Sequence, residues 1–111
     1  MVWPVNRGDV VIIPFPYSDL SATKPRPVVV LRRLPGDDFI ACAITSQQTG
    51  DPNIIPLVAG DFSNGSLPRA SYVHPAKIFT AESSKVTGFK GTLRTPKTNE
   101  LLDKVVEILR G

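Results

Sequence analysis

An arginine held between two prolines, Pro25-Arg26-Pro27, directly precedes a run of β-branched residues. The prolines stiffen the local backbone and restrict the directions in which the side chain can point. A guanidinium that is held in place suits two-pronged binding of a phosphate group. The alternative from the sequence is a structural arginine that pairs with a carboxylate such as Asp9 or Asp19.

Two further groups could take part in chemistry. Thr45-Ser46-Gln47-Gln48 follows an apolar run, and its hydroxyls and amides could bind phosphate, ribose or base edges, or simply close a turn. His74, which precedes Pro75, has the one side chain whose ordinary pKa lies near neutrality. A lone histidine is more often structural than catalytic, so the sequence leaves both roles open for His74.

The composition excludes several kinds of site. The single cysteine, Cys42, forbids an internal disulfide and a cysteine-based metal site, and we expect it to be buried and inert. One histidine with scattered carboxylates shows no metal-ligand spacing, so no metal or other cofactor is expected. No apolar run reaches the ~20 residues of a membrane helix, and no leader is evident, so a cytoplasmic protein without membrane contact is expected. The net charge of +3 permits a phosphate-bearing partner without requiring one.

Short apolar and β-branched runs dominate the chain as far as about residue 94 and predict a mainly β fold. Strands are predicted at residues 10–13, 28–31, 39–44, 54–58, 70–74 and 77–80. The turn signal Pro35-Gly36-Asp37 predicts an antiparallel hairpin between the second and third strands. Residues 59–69 and 86–95 are rich in Gly, Ser and Thr and are predicted loops.

The last segment has the periodicity of an amphipathic helix. Thr95 is the predicted N-cap, and Pro96 follows at the first helical position. Apolar side chains then recur three and four positions apart at Leu101, Leu102, Val105, Val106 and Leu109. One domain over residues 1–111 is expected: a small, largely antiparallel β-barrel with this helix packed on it. Apolar runs on both faces of short strands also indicate a symmetric dimer.

Several of these segments together resemble the MazF/PemK/Kid family of bacterial toxins. The segments are 7–11 (Arg-Gly-Asp-Val-Val), 15–20 (Phe-Pro-Tyr-Ser-Asp-Leu), 24–31 (Lys-Pro-Arg-Pro-Val-Val-Val-Leu), 43–46 (Ala-Ile-Thr-Ser), 71–73 (Ser-Tyr-Val), 77–78 (Lys-Ile) and the terminal helix. The resemblance covers nearly the whole chain and is more specific in its first half. It implies an SH3-like barrel that forms a homodimer and cleaves single-stranded RNA without a metal ion. It also implies a cognate antitoxin that covers the RNA groove, with operator DNA contacted only through that antitoxin.

The resemblance places the catalytic arginine at Arg26 and the catalytic threonine at Thr45. Attack by a ribose 2′-OH on the adjacent phosphate would leave 2′,3′-cyclic phosphate and 5′-OH ends, with Arg26 stabilising the transition state. His74 is a candidate for proton transfer, because arginine and threonine are poor bases. RNA contacts are expected from loop side chains, with Tyr17 stacking on a base. The expected RNA-binding residues are Tyr17, Ser18, Asp19, Lys24, Ser46, Gln47, Gln48 and Arg69.

Two other functions fit the same fold. A gyrase-poisoning toxin would need exposed aromatic and apolar anchors at the end of its last helix, whereas this helix ends Ile108-Leu109-Arg110-Gly111 without Trp or Phe. A non-catalytic SH3-like nucleic-acid-binding module would keep the barrel but would not require Arg26 and Thr45 together.

Overall fold

The computed structural model describes residues 5–16 and 23–111, so Tyr17, Ser18 and Asp19 lie outside the described residues. Within the described part, strands lead to a single C-terminal α-helix. The elements are β1 (Asp9–Pro16), β2 (Thr23–Arg33), β3 (Asp38–Thr45), β4 (Ile55–Leu57), a 3₁₀ helix (Ala59–Asp61), β5 (Phe62–Gly65), β6 (Ser71–Glu82), a second 3₁₀ helix (Ser83–Lys85), β7 (Gly88–Leu93) and α1 (Thr95–Arg110).

The strands of this described part form one sheet in the order β4-β6-β3-β2-β1-β7-β5, and each neighbouring pair is antiparallel. In its centre, Val10 on β1 pairs with Val29 on β2, and Val28 on β2 pairs with Ala43 on β3. The β2–β3 pairing confirms the predicted antiparallel hairpin.

The sheet curls around a hydrophobic core on one face. The core side chains are Val10, Val29, Leu31, Cys42, Ile44, Ile55, Leu57, Phe62, Val73, Leu93, Leu101 and Val105. Because they include residues of β4 and β5, the two edge strands, the sheet must bend to bring its edges to one core. The helix α1 closes this core with Leu101 and Val105. The structure thus confirms the mainly β barrel-like fold with a terminal helix.

The opposite face of the central strands is also buried. A second cluster contains Val5, Val11, Ile13, Val28, Val30, Phe39, Ala41 and Val86. Neighbouring residues such as Val10 and Val11 therefore serve two cores, which explains why the strands have continuous apolar runs instead of alternating ones.

Two segments predicted as loops contain strands, so that prediction was wrong. β5 lies within 59–69 and β7 lies within 86–95, and the two strands pair at Gly65 and Gly91. Both glycines have positive φ angles, 73° and 152°. A Cβ on Gly65 would overlap the carbonyl oxygen of Lys90. Glycine, the residue that suggested loops, is what allows these two backbones to approach closely.

The strands predicted at 70–74 and 77–80 are one strand, β6, interrupted by a bulge. Ala43 of β3 pairs with His74, whereas the preceding Cys42 pairs with Ile78. Residues 75–77 therefore leave the ladder. Bulges redirect the side chains beside them. Here the bulge directly follows His74, the last paired residue, and ends with Lys77.

The helix α1 begins one residue earlier than its predicted first residue. Arg94 is the N-cap residue, Thr95 is the first helical residue, and Pro96 occupies the second position. Proline is tolerated at either position because N–H groups of the first turn have no acceptor within the helix. Of the helices in the described ranges, none has the length and apolarity needed to cross a membrane.

Candidate functional site

Arg26 and Thr45 lie at the same level on neighbouring strands. The β2–β3 pairs are Val30–Ala41, Val29–Cys42 and Val28–Ala43. Extending this register by two residues sets Arg26 opposite Thr45. Side chains two positions apart share a face of the sheet, so both project from the face that carries Val28 and Ala43. Both side chains line the same groove, so both can act on one phosphate.

The prolines occur where β2 changes its neighbours. Pro25 and Pro27 lie opposite Pro14 and Ile12 of β1, whereas the observed pairing with β3 starts at Val28. A proline cannot donate a ladder hydrogen bond, so it fits a stretch of strand that is paired along one side. The two prolines thus flank Arg26 in the part of β2 that is paired with β1 but not with β3.

A groove of about 500 Å³ opens beside Arg26 and Thr45. Its walls include seven of the predicted site residues, namely Lys24, Arg26, Thr45, Ser46, Gln47, Arg69 and His74. Lys77, in the β6 bulge, adds a further cation, and no carboxylate is among the described residues that line the groove. A cleft lined by one sign of charge concentrates ligands of the opposite sign, so this groove attracts phosphate.

A second cavity, of about 220 Å³, continues the groove past Arg26. It shares Lys24, Arg26 and Arg69 with the larger groove and adds Lys90 from β7. Arg26 therefore lies between two spaces that both carry positive charge. This arrangement fits an extended polyanion better than a compact one.

The loop after β3 is held by side chains that accept backbone hydrogen bonds two residues ahead. Thr45 Oγ1 accepts from Gln47 N–H at 3.1 Å, and Thr49 Oγ1 accepts from Asp51 N–H at 3.2 Å. Asp51 Oδ1 accepts from Asn53 N–H at 2.9 Å. Because Thr45 Oγ1 is used as an acceptor here, its own proton can be donated to an oxygen in the groove.

His74 belongs to the groove wall, and only 5% of the residue is exposed. Its Nδ1 lies 3.9 Å from Oδ2 of Asp51 and has no hydrogen-bond partner among the described residues. Burial lowers the pKa of His74 below its ordinary value of 6.5, and the charge of Lys77 lowers it further, while Asp51 opposes both effects. His74 is therefore neutral at pH 7.

The structure leaves some predicted residues away from the groove or unplaced. Gln48 is exposed on the loop after β3 but is not among the residues that line the groove. The predicted contacts of Tyr17, Ser18 and Asp19 stay predictions, because these residues lie outside the described ranges.

Sequence reasoning also missed residues. Lys77, Thr49 and Lys90 line the groove or its continuation, and Asp51 approaches His74. No local pattern in the sequence reveals that a bulge places Lys77 in the groove wall. The carboxylate of Asp51 could have been found only from its place in a short polar loop beside Thr45.

Cys42 is fully buried, as expected, and burial raises the pKa of its thiol to about 12. Within residues 5–16 and 23–111, no group of three or more His, Cys, Asp or Glu side chains could hold a metal ion. The side chains available for chemistry at this groove are two guanidinium groups, hydroxyls, one amide, amines and one imidazole.

The fold is similar to solved toxin structures. An endoribonuclease in complex with its cognate antitoxin, from mycobacterial species, superposes with a TM-score of 0.75, at 16% identity over 96% of this chain and 95% of that one. MazE–MazF from Deinococcus radiodurans gives 0.74, at 17% identity over 96% and 97%. The toxin MazF-mt6 of Mycobacterium tuberculosis gives 0.70, at 19% identity over 92% and 96%. At these identities the likeness shows the shared fold.

The comparison of sequences adds the family. No curated protein sequence matched the chain. Residues 6–109, in contrast, match the family model described as PemK-like, MazF-like toxin of type II toxin-antitoxin system. This match spans the strands, the groove and nearly all of α1. The chain belongs to the PemK-like, MazF-like toxins of type II toxin–antitoxin systems.

Proposed function

We propose that this chain is a sequence-specific endoribonuclease toxin that cleaves single-stranded RNA without a metal ion. The observation that carries the proposal is that Arg26 and Thr45, just past the last β2–β3 pair, line the same electropositive groove. Similar solved structures include an endoribonuclease in complex with its cognate antitoxin, which supports the same activity here.

The reaction needs groups that line the groove, together with water. The ribose 2′-oxygen attacks the adjacent phosphorus and gives its proton to neutral His74. The bond from phosphorus to the 5′-oxygen breaks as the 2′-oxygen bond forms, and the leaving oxygen takes a proton from water. The products are a 2′,3′-cyclic phosphate and a 5′-OH end, and His74 later returns its proton to water.

Arg26 and Thr45 act on the charge that develops at the phosphate. The Arg26 guanidinium neutralises the non-bridging oxygens as the phosphate becomes dianionic, and the Thr45 hydroxyl donates to one of them. Both donors are half-buried, so water screens them less than it screens surface charges. Fixed donors of this kind stabilise a transition state more strongly than the ground state.

The remaining groove residues bind the RNA strand. Lys24 and Arg69 contact phosphates next to the scissile one, since both line the groove and its continuation. Ser46 and Gln47 read base edges from the loop after β3, and Gln48 joins them when that loop closes on RNA. Tyr17 supplies a stacking surface, flanked by Ser18 and Asp19.

The proposal includes the partners typical of such a toxin. A cognate antitoxin covers the groove and carries the contacts with operator DNA, and the pair acts in the cytoplasm. A second copy of the chain forms a homodimer. An apolar surface cavity of about 420 Å³ lies beside the edge-to-face pair of Phe15 and Phe79. A dimer formed at this cavity would bury the poorly covered surface of the two rings, which supports the homodimer.

Gyrase poisoning has less support. Val106 and Leu109 on α1 are 47% and 68% exposed and could contact another protein. However, α1 contains no aromatic residue, and that function does not use Arg26, Thr45 or the groove. A non-catalytic binding module would use the groove but would leave RNA intact.

The test is cleavage of mixed-sequence single-stranded RNA in EDTA, followed by mapping of the product ends. Discrete cuts with 5′-OH and cyclic phosphate ends are expected. Arg26→Ala removes the main charge stabiliser and is expected to slow cleavage by about 10²–10³-fold. Arg33→Ala is the matched control, because Arg33 is exposed at the other end of β2.

Cuts that require Mg²⁺, or that persist at the wild-type rate in Arg26→Ala, would contradict the nuclease proposal. Intact RNA together with trapped gyrase–DNA complexes would instead support the gyrase poison, and intact RNA without them would support the binding module.

A further inference from the structure

The Nδ1 atom of His74 is buried without a hydrogen-bond partner in the described part of the chain. Leaving a buried polar atom unpaired destabilises the folded state, so such an atom in a folded protein calls for an explanation. A purely structural histidine would be expected to have this atom satisfied. His74 instead forms part of the groove wall while its Nδ1 edge is sealed from solvent.

The carboxylate of Asp51 lies beside this atom. Its Oδ2 is 3.9 Å from His74 Nδ1, while its Oδ1 accepts the Asn53 N–H at 2.9 Å. One oxygen thus anchors the side chain within its own loop, and the other is directed at the imidazole. A movement of roughly 1 Å would bring Oδ2 into the 2.7–3.2 Å range of a hydrogen bond.

The loop that carries Asp51 also carries groove residues. Gln47 and Thr49 line the groove, and the bond from Asp51 N–H to Thr49 Oγ1 connects Thr49 to Asp51. A strand of RNA that contacts Gln47 or Thr49 would therefore displace the loop that carries Asp51. Hydrogen bonds of catalytic groups are often long in the unliganded enzyme and shorten when substrate binds.

We propose that Asp51 is a positioning residue for His74: its Oδ2 accepts the Nδ1–H proton, which leaves Nε2 unprotonated toward the groove. RNA binding closes the loop of residues 46–54 and shortens this contact. The inference rests on the proposed nuclease function, because it assigns His74 as the group that takes the 2′-OH proton.

The charges around His74 make the pairing useful. Lys77, three residues after His74 in β6, lines the same groove as Lys24, Arg26 and Arg69. Burial and the charge of Lys77 disfavour protonation of His74, and a base that resists protonation is weak. Asp51 acts in the opposite sense, since it raises the pKa of His74, and it stabilises the imidazolium that forms during the reaction.

The test uses the fact that His74 is the chain's one histidine, so that its imidazole NMR signals need no assignment in ¹⁵N-labelled protein. The ¹⁵N shifts report which ring nitrogen carries the proton. The wild type is expected to hold the Nδ1–H tautomer at pH 7.5. Asp51→Asn keeps the Oδ1 acceptor for Asn53 but can place an N–H donor beside Nδ1, so the proton is expected to move to Nε2.

Single-turnover cleavage is measured on the same variants. Asp51→Asn is expected to slow cleavage by about 10²–10⁴-fold, the usual contribution of a proton-transfer group, with little change in RNA affinity. Asp51→Glu restores an acceptor and is expected to recover the Nδ1–H tautomer and part of the rate. Asp103→Asn is the matched control, since Asp103 is an exposed carboxylate on α1 and its loss changes the net charge equally.

An Nε2–H tautomer in the wild type, or the same tautomer in wild type and Asp51→Asn, would overturn the inference. The tautomer is read without RNA, so this result stands apart from the nuclease proposal. If the wild type cuts no RNA but holds the Nδ1–H tautomer that Asp51→Asn reverses, the nuclease proposal fails while the Asp51–His74 contact is upheld.

Discussion

At the scale of single residues, the candidate site combines fixed donors with a histidine in an unusual environment. Arg26 is paired with Ile13 of β1 and Thr45 with Tyr72 of β6, so both residues are held by the sheet and not by flexible loops. His74 is buried beside one anion and near several cations. Burial and Lys77 both favour its neutral form, which is the form a base requires at neutral pH.

The depressed pKa of His74 predicts a pH dependence of stability. In the unfolded chain this histidine binds a proton near pH 6.5, whereas in the folded protein its pKa is lower, mainly because of burial. The unfolded state therefore binds more protons as the pH falls below 6.5, and stability drops. The contribution of His74 is fully present above that pH.

The measurement is the urea midpoint at pH 7.5 and pH 5 for wild type and His74→Gln. The wild type is expected to lose more stability than the variant over this interval, because glutamine does not titrate. Other groups titrate alike in both proteins and cancel from the comparison. Equal losses, or a larger loss in His74→Gln, would show that the folded state does not depress this pKa.

Arg26, Thr45 and His74 could be predicted from the sequence because each has a local signal. Arg26 is bracketed by prolines, Thr45 ends an apolar run, and His74 is the one histidine. Asp51 and Lys77 have no such signal. Their roles depend on a loop contact and on a bulge, and both are set by pairing between distant segments.

At the scale of elements, the sequence predicted strands where apolar runs are buried on both faces and missed the strands that contain glycine. β5 and β7 have few β-branched residues, and their pairing depends on close approach of Gly65 and Gly91. A single sequence shows the periodicity of its apolar side chains. It does not show that the backbones of two strands approach each other closely. The start of α1 was predicted one residue late because proline fits the second helical position as well as the first, and here Pro96 occupies the second.

Gly65→Ala is expected to destabilise the protein more than Gly36→Ala. Both glycines have positive φ angles, 73° and 77°, so each substitution carries a backbone penalty of about 1–2 kcal/mol. A Cβ at Gly36 meets open space, whereas a Cβ at Gly65 overlaps the backbone of Lys90 and Gly91. The β5–β7 pair must therefore separate only in Gly65→Ala.

Chemical denaturation of the two variants beside wild type provides the measurement. The free energy of unfolding is expected to fall by about 1–2 kcal/mol in Gly36→Ala and by clearly more in Gly65→Ala. Similar losses in the two proteins would mean that β5 and β7 are not packed as tightly as the structure describes.

At the scale of the whole molecule, one curled sheet performs two tasks. Its inner face and α1 enclose the core that holds the barrel together. Its other face buries a second cluster and carries the groove at the ends of β2 and β3. The modest net charge of +3 becomes functionally useful because cations collect along this groove and its continuation.

The overall architecture could be predicted because it follows from burial and length. Short strands, one terminal helix and 111 residues leave few arrangements other than a small barrel. The groove could not be predicted in shape, because its walls come from strands, a loop and a bulge that meet only after the sheet has curled.

The central claim is that Arg26 and Thr45 act on the same phosphate, and a double-mutant cycle tests it most directly. Single-turnover cleavage at saturating enzyme is compared for wild type, Arg26→Ala, Thr45→Val and the double variant. Residues that act as a unit are not additive, so the double variant is expected to be about as slow as Arg26→Ala alone, roughly 10²–10³-fold below wild type. Losses that multiply, or a Thr45→Val variant as fast as wild type, would contradict the claim.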